Sequence, residues 1–158
     1  MSDTDQTGSD DVVSVERVIP ADAGAIFALL ADPSRHHEID GSGTVRDAKT
    51  GSQQLALGAT FGMSMKMGIP YSMVSEVVEF EPDRRIAWQT RGPGRIGQHV
   101  AGRIWRYELE PVDGGTLVRE SWDIRQESPV SRPFVRRLAD QTRKNMAATL
   151  ERIESVLT

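Results

Sequence analysis

Cysteine is absent from the 158 residues. Thiol nucleophiles, zinc-thiolate sites and disulfides go with it, and a chain without them suits a reducing cytoplasm. Positive charge is in deficit, since 19 Lys and Arg face 23 Asp and Glu for a net charge of -4 and a pI near 5.4. That balance weighs against phosphate backbones and anionic membranes, both of which attract basic surfaces, so nucleic acid is not an expected partner. Lysine itself is scarce, 3 residues against 16 arginines. No run approaches the roughly 20 apolar residues that span a bilayer. The N-terminus has neither the basic start nor the apolar stretch of a signal peptide. The expectation is a cytoplasmic chain with no integral membrane segment. Also missing are G-x-S-x-G, H-E-x-x-H and the P-loop, so no motif names a reaction and no cofactor is expected.

What is present is one domain's worth of alternating and helical patterns. Residues 1–11, MSDTDQTGSDD, are small, polar and acidic, have little to bury, and read as a disordered tail before a single domain over 12–158. Val12 to Ile19 is a β-branched run closed by Pro20. Ile26, Phe27, Leu29 and Leu30 then recur at helical spacing until Asp32-Pro33, and a second short helix fits Pro33 to Asp40. Six strands follow at meander spacing: Thr44 to Ala48, Ala59 to Lys66, Tyr71 to Phe80, Arg85 to Thr90, Arg103 to Glu110 and Thr116 to Arg125. Asp113-Gly114-Gly115 is the clearest hairpin signal among their connections. From Pro129 the period changes, and Phe134, Leu138, Met146, Leu150, Ile153 and Leu157 share a stripe that predicts one amphipathic helix of about seven turns.

The opening VERVIPADAGAIFALLADP, the pair VVEFEPDRRIAW, the hairpin WRYELEPVDGGTLVRESWD and the last helix together resemble the START-like (SRPBCC) helix-grip superfamily, in its polyketide cyclase/dehydrase and lipid-transport branch. The resemblance covers residues 12 to 157 and implies an α+β fold. A curved antiparallel sheet of about seven strands would wrap a long C-terminal helix, with two short helices after the first strand. It also implies a cavity for a lipid, sterol or aromatic polyketide, held as cargo or, in a minority of relatives, cyclised or dehydrated.

Strand parity locates the cavity independently, because successive side chains point to opposite faces. Phe61, Met63, Met65 and Met67 share a face. So do Trp88 with Ile86 and Thr90, Trp105 with Tyr107 and Leu109, and Glu120 with Val118, Trp122 and Ile124. With Phe134 and Leu138 of the last helix, these are the candidate lining residues for a small hydrophobic ligand. The same residues would equally fill a solid core. Glu120, a carboxyl in an apolar row, is the candidate base, with Tyr107 or His99 as donor; an ion pair with Arg106 or Arg119 is its alternative. His36 and His37 are adjacent with no third ligand in register, so no metal site is expected. Gly92-Pro93-Gly94-Arg95-Ile96-Gly97 matches G-x-G-x-x-G but leads into a strand, where no helix N-terminus would receive a phosphate. It reads as a flexible loop. A monomer or a homodimer fits all of this.

Overall fold

The structure, a computed structural model, describes residues 11–42, 45–48, 54–67, 69–91 and 102–158, with backbone alone at 45–48, 63–67, 69–72 and 91. His99 and the loop from Gly92 to Gly97 lie outside the described residues.

The chain opens on β1 (Val12–Ile19), which Pro20 ends, and turns into α1 (Ala23–Leu30). The apolar stripe of α1 is wholly inside: Ile26, Phe27, Leu29 and Leu30 are all buried. Asp32 accepts from the Ser34 backbone N–H at 3.1 Å, capping the 3₁₀ turn Pro33–Arg35 that leads into α2 (His36–Ile39). Six strands then run as a meander: β2 (Val45–Ala48), β3 (Thr60–Met67), β4 (Ile69–Glu81), β5 (Arg85–Arg91), β6 (Arg103–Val112) and β7 (Gly115–Asp123). All pairings are antiparallel, and β1 closes the far edge by pairing with β7, giving the order β1-β7-β6-β5-β4-β3-β2. The sheet expected from the sequence is therefore present, strand for strand. Ile69 and Pro70, outside the strand expected from Tyr71 to Phe80, begin β4, with Pro70 opposite Lys66.

The β6–β7 hairpin turns on Asp113 and Gly114, with Gly114 at φ 86°. Gly115 has φ 151° and lies against the backbone carbonyl of Ile19, where any side chain would collide. Glycine is demanded there twice, by conformation and by space. The register from Val112–Gly115 to Ile104–Asp123 is unbroken, so the parity of β7 is the one its sequence implies.

The C-terminal segment departs from expectation. It is not one seven-turn helix: α3 (Arg132–Arg136) and α4 (Ala139–Leu157) are separate, with Arg137 and Leu138 between them. The 19 residues of α4 make about five turns. Its buried stripe is Thr142, Met146, Thr149, Leu150 and Ile153, which packs over the sheet on the side of β1 and β7. Phe134 and Leu138, expected to be buried, are 65 % and 49 % exposed. Val135 takes the inward place on α3. Pro133 in the first turn of α3 and the break at Arg137 and Leu138 rotate the earlier residues off the α4 stripe. Phe134→Ser should accordingly leave stability within about 0.5 kcal/mol, as for other exposed positions. Thermal unfolding checks this, and a fall of several degrees would return Phe134 to the core.

Among the described residues no helix is long and apolar enough to cross a membrane. Asp11 is tied into the fold, its carbonyl accepting from Ile124 N–H at 2.9 Å and its carboxylate from Arg136 Nε at 2.7 Å.

Candidate functional site

Cross-strand register decides what faces the space under α4. Trp88 of β5 lies opposite Trp105 of β6, and Trp105 opposite Trp122 of β7, so all three tryptophans of the chain form one row across three strands. The next row runs Ile86, Tyr107, Glu120 and Val15. Because both rows point to the concave face, they meet the helix side across a cavity of about 650 Å³, within the usual size range of small-molecule sites. Phe61, Trp88, Trp105, Tyr107, Glu120 and Trp122 line it from the sheet. Leu138 lines it from the helix side despite its exposure. Phe134 does not face this space and is corrected out of the expected set. Met63, Met65 and Met67 are placed in β3, opposite Met73, Tyr71 and Ile69; their side chains are not among those described.

The aromatic wall divides into two groups. Trp88 is at the centre of the first, stacked on His36 at 5.0 Å and 21°, edge-on to Phe61 at 5.6 Å, and 5.5 Å from Tyr107. Such pairs add about 0.5–1.5 kcal/mol each beyond area burial. The second group is Trp105 with Trp122, ring centres 6.4 Å apart. Trp122 is fully buried, whereas Trp105 is only partly covered.

Glu120 is 2 % exposed. Its Oε1 accepts a very short hydrogen bond from the Tyr107 hydroxyl. Its Oε2 has no hydrogen-bond partner among the described residues. The expected alternative, an ion pair with Arg106 or Arg119, does not form. Arg106 is bound to Glu79 and Asp123, and Arg119 to Glu16. Burial therefore acts on this carboxyl without a compensating cation. It pushes the pKa up to about 8 against the pull of the Tyr107 bond, with the charge of Asp40 raising it further. The Tyr107 phenol is pushed up as well, by its own burial first and then by Glu120.

An unfolded glutamate loses its proton near 4.5 and the folded one near 8, so the folded state binds more protons between those values. Stability contributed by this group is complete below pH 4.5, falls as pH rises toward 8, and levels beyond, with a slope of at most about 1.4 kcal/mol per pH unit. Glu120→Gln removes the titration. The melting temperature of the variant relative to the parent should climb from pH 5 to pH 8 and then flatten. A difference independent of pH would mean that Glu120 titrates as an ordinary surface carboxylate.

Several polar residues of the cavity escaped the sequence reading. From the sequence His36 reads only as a candidate metal ligand. It is instead buried, with Nε2 2.8 Å from the Leu30 carbonyl, and burial lowers its pKa, so it is held as the neutral ring whose Nε2–H donates. Thr142 and Thr149 occupy the inward stripe of α4 in phase with Met146 and Ile153, and that phase was the available signal. Thr149 Oγ1 accepts from Gly41 N–H at 2.9 Å. Gly41 rests against the α4 backbone so closely that a Cβ would overlap it, which fixes the end of α2 on the helix. Arg103 lines the cavity but is tied to the buried Glu127 at 3.0 Å, so its charge is already answered.

Comparison with known proteins agrees with this architecture. The uncharacterized protein Rv0088 of Mycobacterium tuberculosis (strain ATCC 25618 / H37Rv) is 36 % identical over 107 residues, 66 % of this chain and 44 % of that protein. The matched segment thus spans less than half the length of that relative. Among solved structures, protein CV1439 from Chromobacterium violaceum superposes with a TM-score of 0.71 at 13 % identity, over 93 % of this chain and 96 % of that one. DynU16, from the dynemicin biosynthetic locus, gives 0.65 at 16 % identity, over 93 % of this chain and 47 % of that one. At such identities the likeness is one of fold. The sequence profile of the polyketide cyclase/dehydrase and lipid transport family matches residues 11–158, through every strand and helix that walls the cavity, and the chain belongs to that family.

Proposed function

We propose that the protein binds and carries one small, largely apolar molecule in the cavity between the sheet and α4. The observation that supports this best is the 650 Å³ space itself, faced by the Trp88–Trp105–Trp122 row. Close-packed interiors leave few voids larger than a water molecule, so a space of this size under aromatic rings is a place for a guest. Flat or polycyclic lipids, sterols and aromatic polyketides match the rings in shape and polarity.

The reading is tested by native mass spectrometry of the full chain as purified and after addition of 1-tetralone, a neutral bicyclic ketone. The expected result is a co-purifying apolar mass, or a 1:1 adduct that saturates at one copy per chain. Adducts that keep accumulating without saturation would contradict it.

A second reading, cyclisation or dehydration of a polyketide-like chain, has one observation in its favour: the Glu120–Tyr107 pair is buried in the cavity wall. A carboxyl near pKa 8 keeps its proton at neutral pH, and a base must have lost its own. Turnover by Glu120 would therefore rise through pH 8 and vanish in Glu120→Gln, whereas carriage needs neither behaviour.

A further inference from the structure

We infer that the cavity selects an uncharged ligand carrying a hydrogen-bond-accepting oxygen, a ketone or ether on a ring edge, held by the carboxyl of Glu120 and the indole N–H of Trp122. The inference rests on the carrier reading above and narrows its ligand class.

Two buried polar atoms in the wall, Glu120 Oε2 and Trp122 Nε1, have no partner among the described residues. Both side chains face the cavity and are nearly inaccessible to solvent, at 2 % and 1 % exposure. They stand two residues apart on β7, hence on one face and about 7 Å apart along the strand. Leaving such groups buried and unsatisfied is costly, so their presence asks for a guest atom.

The chemistry of that atom follows from what surrounds them. Tyr107 of β6 already donates to Oε1, which commits its proton and leaves Oε2 as the open end of the carboxyl. At the two ends of α2, Asp40 just past its C-terminus adds negative charge and His36 is neutral. From α4, Gln141, Thr142 and Asn145 are uncharged. From β6, Arg103 is occupied by Glu127, and β1 places Val15 opposite Glu120. No free cation among the described residues faces the carboxyl, and it retains its proton below about pH 8. Glu120 Oε2 then bears a hydrogen, and two successive inward positions of β7 each present a donor to the cavity. Two donors recognise an acceptor. An anionic guest would gain the same bonds but lose its hydration beside Asp40 with no counter-charge, which disfavours carboxylates.

The test compares 1-tetralone with tetralin, the same skeleton without the oxygen, by titration of tryptophan fluorescence in the full chain at pH 6.5. The parent protein should bind the ketone about tenfold tighter, the weight of one or two net hydrogen bonds. Trp122→Phe, which keeps a ring and removes the N–H, should cut that preference several-fold, read as the ratio of the two affinities within the variant so that any loss of ring contact common to both compounds cancels. Glu120→Gln retains an N–H donor and should keep the preference. In the parent the preference should shrink between pH 7 and pH 9; in Glu120→Gln it should not. If tetralin binds as well as the ketone, or if Trp122→Phe leaves the ratio unchanged, the donor pair is not the anchor although the cavity binds. If neither compound binds, the carrier reading falls and the anchor with it.

Discussion

Replacing Trp88 by alanine is expected to cost about 3–5 kcal/mol, the range for deleting a buried aromatic. Trp88 touches three rings, those of His36, Phe61 and Tyr107, at centroid distances of 5.0 to 5.6 Å. No other aromatic of the wall makes as many ring contacts among the described residues. Trp105 packs against the edges of both core clusters, has one ring contact among the described residues, with Trp122 at 6.4 Å, and is only partly covered. Trp105→Ala should therefore cost less, about 1–2 kcal/mol, while weakening ligand binding at least as much. Urea denaturation of the two variants separates the roles. A Trp105 loss equal to that of Trp88 would mean that the row is one continuous core and that its outer end forms no ligand wall.

The grip of α4 on the sheet carries the other large effect. Leu150 and Ile153 are 1 % and 0 % exposed and belong to the same cluster as Ile19, Val118 and the α1 stripe. Each substitution by alanine should cost about 2–5 kcal/mol, against a total stability that for ordinary domains is about 5–15 kcal/mol. The Arg17–Glu154 ion pair, with both side chains partly exposed, adds less than about 1 kcal/mol and cannot hold the helix alone. The double variant Leu150→Ala with Ile153→Ala should lose its cooperative thermal transition. Retention of a sharp transition would show that the sheet stands without the helix, and that the cavity has only one firm wall.

Much of this architecture is legible in the chain because strand parity is a local rule. Trp88, Trp105, Tyr107, Glu120 and Trp122 follow from period-two alternation once the hairpin at Asp113-Gly114 keeps β7 in register. The pairing of Tyr107 with Glu120 required the register itself, which no single strand encodes. The helix break was hidden because Phe134 and Leu138 stand four apart and Leu138 stands eight before Met146, so their spacing continues the α4 stripe. Only Pro133 hinted at a separate first turn. Thr142 and Thr149 are illegible for the opposite reason: a helix facing a cavity carries polar residues on its inner side, which a hydrophobic stripe does not mark. For Met63, Met65 and Met67 the expected contribution to the wall stands as a proposal, as does a role for His99.

The central claim is that one apolar molecule sits beneath the tryptophan row, and the indole ¹H–¹⁵N spectrum reports on that row directly. The chain has three tryptophans and therefore three indole signals. During titration with 1-tetralone all three should shift along one saturating curve, with the Trp122 proton moving downfield, while backbone amides on the outward face of β1, at Glu16 and Val18, stay still. Unmoved indole signals, or non-saturating shifts confined to exposed positions such as Val130 and Phe134, would contradict it.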